Sequence, residues 1–125
     1  MFTTISFLDK GLKHDKFLDA LLFHKFIVFS PEMVQEAEVV VSFDINSVGR
    51  LLEFHDKLRV LFLFKLVKGK DLDFLRENND KILVITTRSY STIKNVRVNN
   101  RNIRLRALQS AHIIKAMVSA NVKSI

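Results

Sequence analysis

Val39-Val40-Val41-Ser42-Phe43-Asp44 is a nearly unbroken apolar run closed by an acid, and residues 59–67, Arg-Val-Leu-Phe-Leu-Phe-Lys-Leu-Val, form a second such run. Strands that are apolar on both alternating faces belong in sheets covered on both sides, and those sheets are mainly parallel. Between the runs Val48, Leu51, Leu52 and His55 recur at helical spacing, which predicts a helix from Asn46 or Ser47 to Leu58. Strand, helix and strand in that order make the crossover unit of a parallel sheet.

The same alternation extends in both directions. Residues 2–8 are apolar and β-prone, a first strand ending at Asp9, Lys10 and Gly11. Phe17, Leu18, Leu21 and Leu22 mark one face of a helix within 14–25, and 26–29 is a short buried strand. Ser30-Pro31-Glu32 opens a short helix, with Ser as cap, Pro at the first helical position and the Glu32 carboxylate toward the positive end of the helix dipole. Beyond the second run, Lys68-Gly69-Lys70 is a basic turn, Asp71 is the expected cap of a helix that turns Leu72, Leu75 and, as an option, Phe74 inward, and 82–85 is another strand. All eleven Phe lie at or before Phe74, so the aromatic core belongs to this region. The expected fold is α/β, a three-layer sandwich with a mainly parallel sheet. A chain of 125 residues has the size of one domain and buries about two thirds of its unfolded surface. Residues 1–90 form its core and 91–125 a basic extension packed on it.

In that extension Val96-Arg97-Val98 and Ile103-Arg104-Leu105-Arg106 alternate around an Asn-rich turn at 99–102, which predicts a C-terminal basic β-ribbon followed by an amphipathic helix through Ala107, Ala111, Ile114 and Val118. In this register Arg97, Arg104 and Arg106 share one face, opposite Val96, Val98, Ile103 and Leu105, and Arg101 sits at the tip. A competing reading starts the helix near Asn102 and removes the second strand.

Charge is divided unevenly. Residues 81–125 carry nine Lys and Arg and no Asp or Glu, whereas residues 1–80 carry eleven against thirteen, so the net +7 comes from the last third. Such asymmetry points to a polyanionic partner. Guanidinium groups make bidentate, permanently charged contacts with phosphate oxygens, and several in a row match the repeat of a nucleic-acid backbone. The expected contacts are Arg97, Arg101, Arg104 and Arg106, supported by Arg88 and Lys94. Tyr90 is the one aromatic residue after Phe74, which argues against a base-stacking platform. Alternative uses of the basic face are an anionic lipid surface, or a homo-oligomer in which it docks on an acidic face of a second copy.

The stretch from Val39 to Leu75 resembles the Toprim domain of primases and topoisomerases. Asp44 stands where that family has the first acid of an Asp-x-Asp pair, Gly49-Arg50 matches its helix step, and Gly69-Lys70-Asp71 with Asp73 matches the later turn of its primase members. Asn46 replaces the second acid, and Asp9 stands in place of the family's Glu. The resemblance implies Mg2+ held by Asp9, Asp44, Asp71 and Asp73 for phosphoryl chemistry, weakened by the missing acid. The order Asp9, Glu36, Asp71 and Asp73 is also similar to PIN-type ribonucleases, which gather acids at the ends of parallel strands, although the usual Asp-Thr or Asp-Ser step is absent. These resemblances make a Mg2+-dependent nuclease or primase-like enzyme the alternative to a binding protein. Each acid has a plainer use, as a helix cap or a solvated carboxylate.

Other chemistry is excluded by composition and spacing. With no Cys there is no disulfide and no thiolate site, which suits a cytoplasmic protein. His14, His24, His55 and His112 show no metal-ligand spacing, neither Gly-rich phosphate loop occurs, and nothing indicates another cofactor. No apolar run approaches the roughly twenty residues that span a bilayer.

Overall fold

The computed structural model describes residues 3–8, 16–24, 26–29, 31–98 and 101–121. Six strands form one parallel sheet: β1 (Thr3–Phe7), β2 (Phe26–Phe29), β3 (Val39–Ser42), β4 (Leu58–Leu63), β5 (Leu83–Thr86) and the two-residue β6 (Val96–Arg97). Their order across the sheet is β2-β1-β3-β4-β5-β6. The chain therefore winds outward in one direction from β1 and in the other from β3, and the two directions part between these strands, the switch point of a doubly wound sheet. Among the described residues the α-helices are α1 (Lys16–Leu22), α2 (Val48–Leu51), α3 (Lys70–Glu77) and α4 (Ile103–Ser119).

The apolar runs are buried on both faces, as their composition requires. On one face Ile5, Val39, Val41, Val60, Phe62 and Ile85 pack against Phe17 and Leu21 of α1 and against Ala107, Ala111 and Ile114 of α4. On the other, Val40, Leu61, Leu63 and Val84 pack against Val34, Val48, Leu51 and Leu75. Alternate residues of β3 and β4 thus serve opposite cores, which gives helix, sheet and helix layers. Phe62, fully buried, lies at 5.0 Å from both Phe17 and Phe43 between ring centroids and at 5.8 Å from Phe64. Among the described residues no helix is long and apolar enough to cross a membrane.

Several expectations need correction. The described residues form no ribbon there: β6 pairs parallel with β5, and residues 103–106 are the first turn of α4. The side chain of Asn102 accepts hydrogen bonds from the backbone N–H groups of Arg104 and Leu105, at 2.9 and 3.3 Å, and so fills the N-cap role. Once Asn102 caps, Ile103, Ala107, Ala111 and Ile114 fall on one helical face toward the sheet, while Arg104 and Leu105 point outward. Replacing Asn102 by Ala is expected to cost about 1 kcal/mol in urea unfolding; an unchanged midpoint would contradict the cap. Between β3 and β4 the expected long helix is divided into a 3-10 turn (Ile45–Ser47) and the single turn α2. Strand β4 runs from Leu58 to Leu63, ending short of the expected 59–67, and Lys65 and Leu66 beyond it are exposed.

Asp71 is not the cap of α3. Gly69 occupies that position with φ 66° and ψ −136°, and Asp71 and Asp73 lie in the first helical turn. A β-carbon on Gly69 would meet nothing within 4 Å, so only backbone strain opposes a side chain there. Gly69→Ala is expected to destabilise the fold by about 1–2 kcal/mol in urea unfolding.

Candidate functional site

In parallel sheets of this kind ligands sit beyond the carboxyl ends of the strands. At the end of β3, Ser42 Oγ accepts from the Asp44 N–H at 3.0 Å, and Asp44 Oδ1 accepts from the Asn46 N–H at 3.0 Å. Asp44 therefore caps the following 3-10 turn while remaining exposed.

Beyond β4 and β5 the chain is braced more heavily. Thr86 Oγ1 accepts from the Arg88 N–H at 3.0 Å, and Thr86 O accepts from the Val98 N–H at 2.8 Å, which joins the exits of β5 and β6. Tyr90 Oη accepts from the Val67 N–H at 3.1 Å and donates to Lys65 O at 3.5 Å, so the phenol ties the loop after β5 to the loop after β4. The Asn95 amide donates to Tyr90 O and Ile93 O and closes the loop on itself. Between these loops lies a cleft of about 510 Å³ lined by Leu66, Thr87, Arg88, Ser89, Tyr90 and Arg97. No acid lines it, and among the described residues neither Arg88 nor Arg97 has a carboxylate partner.

The remaining basic residues divide by position. Arg101 and Arg104 are exposed around the start of α4, which follows β6 and so begins at the same carboxyl edge. The helix runs back toward the strand entries, where Val118 and Asn121 share a cleft of about 270 Å³ with Glu38, Asp56, Lys57 and Leu58. Arg104 also borders an apolar groove between α1 and α4, with Asp19, Phe23, His24 and Leu105. Arg106 is half buried, with its guanidinium 5.5 Å from the centre of the Phe64 ring, a cation–π contact that holds α4 over the exit of β4. Lys94 lies at the opposite edge from Arg88 and Arg97. Its backbone exchanges hydrogen bonds with the side chain of Asn79, which precedes β5.

Two buried cations have no counterpart in the sequence reading. Lys57 donates from Nζ to the carbonyls of Gln35 and Ala37, bracing the entries of β3 and β4. Arg59 projects toward the second core and donates to Leu52 O at 3.3 Å. Burial pushes its guanidinium below the usual arginine range, with the Asp80 charge opposing.

The carboxylates do not gather. Asp73 pairs with Arg76 one turn along α3, Asp71 is exposed in the same first turn, Asp44 caps beyond β3, and Asp9 lies outside the described residues. Glu36, exposed, ends the 3-10 segment (Pro31–Glu36) that precedes β3, at the strand entries. Among the described residues no three His, Asp or Glu side chains come together as a metal-ligand set. The carboxylates described therefore do not fit a Mg2+ centre.

What the sequence reading missed was the hydroxyl wall. Thr87, Ser89 and Tyr90 line the arginine cleft, and the signal available was the density of hydroxyls in 86–92, Thr-Thr-Arg-Ser-Tyr-Ser-Thr, directly after an apolar strand. No family model, no curated protein and no solved structure matches the chain.

Proposed function

We propose that the chain is a nucleic-acid-associated protein that binds the phosphate backbone along the carboxyl edge of its sheet. The observation that carries this reading is the cleft shared by Arg88 and Arg97 at that edge, followed in the chain by exposed Arg101 and Arg104 at the start of α4, in a region free of acids from residue 81 onward. These four follow β5, end β6 or flank the start of α4, so their spacing is held by the sheet rather than by a flexible tail. Arginine forks suit phosphate oxygens, and such contacts fix the position of a strand without reading its bases. The phenol of Tyr90 is committed to the loop after β4, so base stacking is no part of the proposal. Catalysis is no part of it either.

The test is fluorescence anisotropy with labelled single- and double-stranded DNA and RNA over a range of salt, with and without Mg2+. Three or four phosphate contacts give a log-log salt slope of about −3 to −4 on duplex. No binding at low salt would refute the proposal, and Mg2+-dependent shortening of the probe would favour the enzymatic alternative.

A second reading draws on the acid-bordered cleft at the strand entries, where Glu38 and Asp56 lie. A head-to-tail contact between copies would set the basic edge of one against the acidic edge of the next, and heterologous contacts of this kind build open chains. Sedimentation velocity distinguishes the two: self-association that grows with concentration and dissolves with salt belongs to this reading, and a constant monomer belongs to the first.

A further inference from the structure

The cleft between the exits of β5 and β6 differs from the rest of the basic edge. All four arginines are exposed, but Arg101 and Arg104 stand at a helix start, whereas Arg88 and Arg97 line one open cleft with Thr87, Ser89 and Tyr90. The frame is fixed before any ligand arrives, through the Thr86 bonds to Arg88 and Val98 and the Tyr90 bonds to Val67 and Lys65. A preformed frame lowers the ordering cost of binding. From this geometry we infer that the cleft is a binding site for a phosphate monoester, the group found at the end of a nucleic-acid strand or on a free nucleotide.

Charge and valence select the monoester over an internal backbone phosphate. A monoester carries about −1.5 to −2 at neutral pH and offers three terminal oxygens. Two guanidiniums match that charge, and their forks together with the two aliphatic hydroxyls supply donors for all three oxygens. An internal diester carries a single charge and two free oxygens, so on a continuous strand Arg88 and Arg97 would each take a different phosphate, whereas one monoester engages both. The volume of about 510 Å³ lies in the range of small-ligand sites and leaves room for a sugar beside exposed Leu66. This inference rests on the reading of the carboxyl edge as a nucleic-acid surface where the monoester is a strand end; for a free nucleotide it stands alone.

The experiment compares one short labelled oligonucleotide with a 5′-phosphate, with a 3′-phosphate and with hydroxyls at both ends, by anisotropy. In parallel, inorganic phosphate and a nucleoside monophosphate are titrated into 15N-labelled protein. The expected result is about tenfold tighter binding of a phosphate-ended strand, lost in Arg88→Ala and in Arg97→Ala but retained in Arg104→Ala, with amide shifts at Thr87, Ser89 and Arg97 on adding inorganic phosphate. If those amides shift but no strand binds at low salt, the monoester site stands with a small phosphorylated molecule as its ligand, and the backbone reading falls. If strands bind without regard to their ends and phosphate moves none of the three amides, the monoester site is overturned and the backbone reading survives.

Discussion

Replacing Arg88, Arg97, Arg101 and Arg104 together by Ala should lower affinity for duplex nucleic acid by about three orders of magnitude at about 0.1 M salt. The size follows from counterion release. Each phosphate contact contributes about 0.9 to the log-log salt slope, which is close to a factor of ten at that salt relative to 1 M. Four contacts therefore give about 10³ to 10⁴ in affinity, and the slope should become shallower by about 3.6 units. Lys94→Ala is the control, because Lys94 lies at the strand entries beside Asn79 and not on the carboxyl edge. Its affinity should stay within about twofold of the parent, less than the near-tenfold expected for one lost contact. Equal losses from Lys94→Ala and from any single edge arginine would mean that net charge, not the edge, governs binding. All four arginines of the edge are exposed, so circular dichroism and the unfolding midpoint should be little changed.

The largest effect on stability is expected at Phe62. It is fully buried at the centre of the aromatic cluster, in contact with Phe17, Phe43 and Phe64. Truncation to Ala removes the transfer free energy of a ring and leaves a cavity bounded by a rigid sheet, a loss of about 3–5 kcal/mol. Domains of this size are stable by about 5–15 kcal/mol, so Phe62→Ala should unfold at much lower urea and show a substantial unfolded fraction on warming. Phe23, 86% exposed, provides the comparison: Phe23→Ala should change stability by less than about 0.5 kcal/mol. A similar small change at Phe62 would mean that the layer of α1 and α4 is not closed over the sheet as described.

The alternation of strands and helices was legible because it is written in uninterrupted apolar runs. Val39, Val40 and Val41 can be buried only if both faces of β3 are covered, and both are. The C-terminal third was ambiguous for a physical reason. Ile103-Arg104-Leu105-Arg106 satisfies strand alternation, yet Ile103 with Ala107, Ala111 and Ile114 satisfies helical spacing equally well. Four residues do not separate the two periods, and the Asn102 side chain on the Arg104 and Leu105 amides tips the balance toward helix. The cap of α3 was misread for a related reason, since Asp71 is a good capping residue but Gly69 takes the backbone conformation that the turn requires.

The candidate site was legible only in its charge. Arg88 and Arg97 stand out in a region without acids, but what brings them together is the parallel pairing of β5 with β6. Leu66 and Tyr90 join them because β4 is the other neighbour of β5 and the Tyr90 hydroxyl bridges the two exit loops. Arg106, grouped with the others by alternation, is turned by the helix onto Phe64, a residue distant in sequence. Arg59 and Lys57 appear as ordinary charges in the sequence and prove to be buried beneath neighbouring segments that supply carbonyl partners.

The carboxyl edge as a phosphate-binding surface is tested most directly by mapping amide shifts on 15N-labelled protein during titration with a short nucleic-acid duplex at low salt. Shifts are expected to concentrate at Thr87, Arg88, Ser89, Arg97, Arg101 and Arg104, while Glu38, Asp56 and Lys94 at the strand entries stay in place. Shifts concentrated at the strand entries, or spread evenly over both edges, would contradict it.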